Sequence, residues 1–141
     1  MVGKYSRKHV HLGATINEAI RRECLNRGLT DKLPCAVAFD ISGVLKVPPH
    51  EVGQTADLME LHLVKCQLGL FGYAPQKKIV KPLAVVDADL KDAIREGLNE
   101  NRLPCIAAWR IADIFGVHRL QIAGACEALG VKIAPCQLGA F

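Results

Sequence analysis

The chain has 141 residues, half of them apolar, with a net charge of +4 and six cysteines. No apolar run approaches the roughly eighteen residues of a membrane span. The opening stretch MVGKYSRKHVHLG carries no apolar leader, so a cytoplasmic protein without a membrane partner is expected. In that compartment cysteines are reduced thiols or metal ligands rather than disulfides.

Positive charge is unevenly spread. Residues 1–17 carry Lys4, Arg7 and Lys8 and no acid, and 61–86 carry Lys65, Lys77, Lys78 and Lys81 and no acid. The stretches 18–60 and 87–127 each hold seven acids against five bases. The chain also repeats itself. Shifted by seventy, residues 33–71 lie on 103–141 without a gap and 11 of the 39 columns are identical, where average residue usage gives roughly two or three. Two modules of similar size are therefore expected, each too small to bury a thick core alone.

In chain order, residues 1–14 form a basic N-terminal arm. His9 and His11 alternate within it, but two ligands make no metal site. The first module spans 15–73. INEAIRR (16–22) echoes LKDAIRE (90–96), which predicts a first helix in each copy and a shorter connection in the second. A second helix follows from Pro34, then a turn at Lys46. Pro48 pushes Val47 extended and Pro49 opens a third helix. A lysine at the turn costs about 1 kcal/mol if it is left-handed, so this turn either differs in shape or is stiffened by its prolines. Residues 74–85 form a basic connector.

The second module, 86–141, carries cleaner signals. Leu90, Ile94 and Leu98 make a helical stripe within 86–102, with Asp87 as N-cap. Pro104 starts a second helix with Ala108, Ile111, Ala112 and Phe115 inward, and Gly116 ends it. Residues 117–130 read as a third helix with Ile122, Ala125, Cys126 and Leu129 inward and Gly130 as its cap. Val131 and Ile133 then alternate as a short strand. The repeated Cys-Gln-Leu-Gly, at 66–69 and 136–139, is expected to lock the third helix of its own copy against the second. Gln67 and Gln137 would satisfy backbone groups at a helix end, and Gly69 and Gly139 would supply a bend. Leu68 with Leu138, and Phe71 with a buried Phe141, would plug the core.

Helix, helix, sharp turn, helix and a short extended piece resemble the helix-turn-helix family in its winged or strand-tailed form. The residues that carry the resemblance are Ala112, Gly116 and Ile122 over 104–129, with Ser42, Lys46 and Val52 at the matching places in 34–59. The resemblance implies a mainly α fold with short β segments, two tandem three-helix modules related by internal duplication and a pseudo-twofold axis. It implies a small cytoplasmic DNA-binding protein, a transcriptional regulator.

The family reads bases from the start of the third helix, which here offers His118, Arg119 and Gln121 in one copy and His50 and Gln54 in the other. Glu51, Asp57 and Glu127 on the same helices repel phosphate. Affinity for double-stranded DNA would therefore rest on Lys4, Arg7 and Lys8 in the arm and Lys77, Lys78 and Lys81 in the connector.

Other readings stay open. Gly53, Ala123 and Gly124 would let another helix approach closely, giving a protein-interaction or adaptor module, or a homodimer. Cys35, Cys66, Cys105 and Cys136 recur in both copies and are the weak candidates for a metal or thiol sensor, although no Cys-x-x-Cys pair exists and buried apolar thiols are the plainer reading. Cys24 and Cys126 read as core filler. No Gly-rich phosphate loop, nucleophile elbow or acid pair appears, so neither an enzyme nor a cofactor is expected.

Overall fold

The computed structural model describes residues 15–141, so the expectations placed on Lys4, Arg7, Lys8, His9 and His11 lie outside the described residues. The fold is mainly α, with six helices and four short strands among the described residues. Two compact units are present. Among the described residues, one comprises 15–66 together with Leu138–Ala140, and the other comprises Gln67–Gln137 and Phe141. No helix among the described residues is long and apolar enough to cross a membrane.

In the first unit the order is α1 (Glu18–Asn26), β1 (Lys32–Pro34), α2 (Cys35–Leu45), α3 (Pro49–Leu58) and β2 (His62–Val64). Asn17 starts α1 by accepting the N–H groups of Ala19 and Ile20 at 3.0 and 3.2 Å, satisfying two of the orphan donors of a helix start. Arg27 ties the end of α1 to α2, reaching Glu23 at 2.8 Å and Asp40 at 2.7 Å. β1 and β2 pair in parallel, Leu33 beside Leu63. Ile20, Cys24, Leu33, Ile41, Val52 and Ala56 are fully buried and form the core.

In the second unit the order is α4 (Ala88–Glu96), β3 (Arg102–Leu103), α5 (Cys105–Phe115), α6 (Arg119–Leu129) and β4 (Lys132–Ile133). β3 and β4 pair in parallel, Leu103 beside Ile133. Ile94, Leu103, Ala108, Ile122, Ala125 and Leu68 make the core, each fully buried. The alternation of exposed and buried positions over 31–50 recurs residue for residue over 101–120.

Several expectations are corrected. The first helices do not align as INEAIRR on LKDAIRE. They keep the offset of seventy, so Ile20 and Cys24 correspond to Leu90 and Ile94 as the buried pairs, and the second connection is not shortened. The stripe ending at Leu98 is cut at Glu96 by Gly97. Beyond it Glu100 and Asn101 turn left-handed at φ 53° and 63°, and Asn99 and Arg102 exchange backbone hydrogen bonds of 2.7 and 3.0 Å. Asp87 precedes α4 but makes no side-chain cap bond. Pro34 and Pro104 stand just before their helices, leaving Cys35 and Cys105 as first helical residues. The turn at Lys46 does not differ in shape. Its φ of 56° and ψ of 44° match the 65° and 34° of Gly116.

The Cys-Gln-Leu-Gly tails do not sit as expected. Gln67 onward belongs to the second unit and Leu138–Ala140 to the first. Leu68 and Leu138 are buried, as required of plugs. Phe141 is half-buried, its ring edge-on to Phe71 at 6.0 Å. Gly69 and Gly139 do make left-handed bends, at φ 78° and 82°.

Candidate functional site

The start of α6 is built from a glycine turn and a short polar segment. Gly116 caps α5 in the left-handed region and its N–H bonds back to the Asp113 carbonyl at 3.3 Å. Val117 and His118 then carry the chain into α6. Gln121 turns its amide oxygen back to the His118 N–H at 3.0 Å, the half of a capping box that fixes the helix entry. Around this turn lies an open depression of about 700 Å³ lined by Gln67, Asp113, Val117, His118, Arg119, Leu120 and Gln121.

Of the sequence candidates, His118 and Gln121 are exposed here and Arg119 is half-buried. The Arg119 guanidinium lies over the Trp109 ring, 3.6 Å from its centroid. It also donates to the Gln67 side-chain oxygen at 3.2 Å. A stacked and hydrogen-bonded guanidinium is pre-organised but partly spent. In the first unit His50 is exposed and Gln54 half-buried on α3. The residues missed from sequence are Trp109 and Gln67, the two that hold Arg119. Their role depends on contacts 10 and 52 positions away, which no local pattern announces.

The small residues meant for an approaching helix are already covered. A Cβ added to Gly53 would lie 1.8 Å from the Leu138 carbonyl oxygen, so that backbone rests directly on α3. At Gly124 the nearest atoms are the Lys81 carbonyl at 2.7 Å and the Leu83 side chain, and the Leu83 N–H donates to the Gly124 carbonyl at 3.1 Å. Ala123 is buried as well. The open small-residue surface expected at Gly53, Ala123 and Gly124 is therefore absent.

The connector runs along α6 at these contacts, with Val80 buried. Lys77, Lys78 and Lys81 are exposed, and Lys78 is ion-paired with Glu127. Gln67 and Gln137 engage side chains rather than helix-end backbone: Gln67 accepts from Arg119, and Gln137 donates to the Cys105 sulfur at 3.4 Å.

None of the six cysteines is in a disulfide. Cys35, Cys66 and Cys105 are buried and Cys136 is half-exposed. Burial pushes the Cys126 thiol up to about 12 and raises Cys24, an effect that Arg27 partly offsets in Cys24. Both are core thiols. Among the described residues no group of three or more His, Cys, Asp or Glu is placed to hold a metal ion. Comparison of the chain with protein-family models, with curated proteins and with solved structures finds no match.

Proposed function

We propose that the protein is a small DNA-binding regulator made of two tandem helix-turn-helix modules, the second a duplicate of the first. The observation that carries this reading is the recurrence of one exposure pattern across helix, three-residue turn and helix at an offset of seventy. In each module the second helix closes on a left-handed residue, and an exposed histidine stands at the start of the third, His50 as the second residue of α3 and His118 as the N-cap of α6. Helix starts of this kind are suited to phosphate and base edges.

The geometry also limits how such a protein reads sequence. Arg119 is held on Trp109, and the face of α6 at Gly124 lies under residues 81–83. Base contact is then confined to His118 and Gln121, with His50 and Gln54 in the other module. Most affinity falls to backbone contacts from Lys77 and Lys81 and from the basic arm, and discrimination between sequences is modest.

Titration of fluorescent duplex DNA tests this directly. Binding is expected near 50 mM salt and should weaken steeply as salt rises. Absence of binding at low salt overturns the reading. One observation favours a second reading in that event, a protein-interaction module: Val44 and Ile114, seventy positions apart, are 60% and 73% exposed at matching places on α2 and α5.

A further inference from the structure

We propose that Cys105 and Cys136 form a reversible dithiol–disulfide couple that closes when the protein meets an oxidised low-molecular-weight disulfide such as glutathione disulfide. The sequence separates these residues by thirty positions and offers no Cys-x-x-Cys spacing. The fold removes that separation.

In the parallel pair of β3 and β4, Leu103 stands beside Ile133, and the Ala134 N–H donates to the Leu103 carbonyl at 2.9 Å. A regular ladder would next join the Cys105 N–H to the carbonyl of residue 134. Instead the Cys105 N–H donates to the Pro135 carbonyl at 3.1 Å. The Cys105 N–H is therefore bonded to the peptide group that joins Pro135 to Cys136, which sets the two cysteine backbones side by side just past the strand ends. With that bond at 3.1 Å, and the Pro135 carbonyl carbon bonded to the Cys136 nitrogen, covalent geometry keeps the two Cα atoms close to the roughly 4.4–6.8 Å that a disulfide requires.

A side-chain contact places the Cys105 sulfur on the same segment: the Gln137 amide donates to it at 3.4 Å. Cys105 is also the first residue of α5, which fixes its backbone beside the tail. Cys136 is half-exposed, whereas Cys105 is only 5% exposed. The two therefore differ in role.

The Cys136 thiolate attacks one sulfur of glutathione disulfide, forming a mixed disulfide and releasing one glutathione thiolate. The Cys105 thiolate then attacks the Cys136 sulfur, forming the protein disulfide and releasing the second glutathione. Two protein thiols lose two protons and two electrons, and one glutathione disulfide becomes two glutathiones. In the first unit Cys35 and Cys66 are each only 5% exposed, so neither thiol is placed to begin the exchange.

Native, fully reduced protein incubated with excess glutathione disulfide, quenched and digested should yield a peptide linking Cys105 to Cys136, with Cys35 and Cys66 still reduced. Reduced glutathione should reverse it. Cys105→Ser should accumulate a persistent glutathione adduct on Cys136, because the resolving thiol is gone. The wild-type peptide map needs no variant to fold. Native protein that stays reduced, that stops at the Cys136 adduct, or that forms the bridge only after unfolding or between chains overturns the proposal.

Discussion

Lys46 and Gly116 occupy the same backbone conformation with opposite chemical suitability. Both are left-handed, and a side chain in that region crowds its own carbonyl. Lys46 therefore carries strain that Gly116 avoids. A Cβ at Gly116 would meet nothing within 4 Å, so any effect there is backbone alone. Lys46→Gly is expected to stabilise the protein by up to about 1 kcal/mol, and Gly116→Ala to destabilise it by about 1–2 kcal/mol. Urea denaturation of the two variants measures both signs. If both changes cost stability alike, the turn conformations are not equivalent. The same scale shows how a matching position hides a difference: a lysine where the repeat has glycine suggested another turn, yet the conformation is kept and strain is accepted.

Among the elements, two helical glycines separate intrinsic propensity from tertiary contact. Gly43 lies inside α2 with nothing within 4 Å of an added Cβ, whereas Gly53 lies inside α3 against the Leu138 carbonyl. Gly43→Ala should gain about 0.5–1 kcal/mol from helix propensity. Gly53→Ala makes the same propensity change but should cost at least about 2 kcal/mol, because the obstructing atom is backbone that cannot rotate away. Thermal melts of the pair decide it, and a stabilised Gly53→Ala would mean that Leu138 does not rest on α3.

The contrast also explains what the sequence could tell. The helices were legible because apolar spacing, Pro34, Pro104, Gly116 and Gly130 mark them locally. β1 and β3 were not, since strands of three and two residues hold no periodicity to read. The seating of the connector on Gly124 and of the tail on Gly53 was hidden too. A small residue on a helix invites an approach but does not name what approaches, and the sequence pointed to a foreign helix where the chain supplies its own extended segments.

At the scale of the whole molecule, charge decides how duplex DNA would be held. The helical stretches 18–60 and 87–127 carry an excess of acid, and the arm and connector carry the cations. Not all connector lysines are equivalent, however. Lys78 is paired with Glu127, while neither Lys77 nor Lys81 is in an ion pair with a described residue. Each lysine that neutralises a phosphate releases condensed counterions, which adds about 0.9 to the slope of log affinity against log salt. Changing Lys77 and Lys81 together to Ala should therefore lower that slope by about two and weaken all duplexes alike. Lys78→Ala should change it little, since its ammonium already has a partner. Glu127→Gln should act in the opposite sense, releasing Lys78 and removing a repelling charge, so that affinity rises and the slope steepens by about one. Salt titrations of the four proteins on one duplex supply every number needed. If Lys78→Ala flattens the slope as much as the double change does, the Lys78–Glu127 pair does not survive on DNA, and the connector acts as an undivided cationic strap.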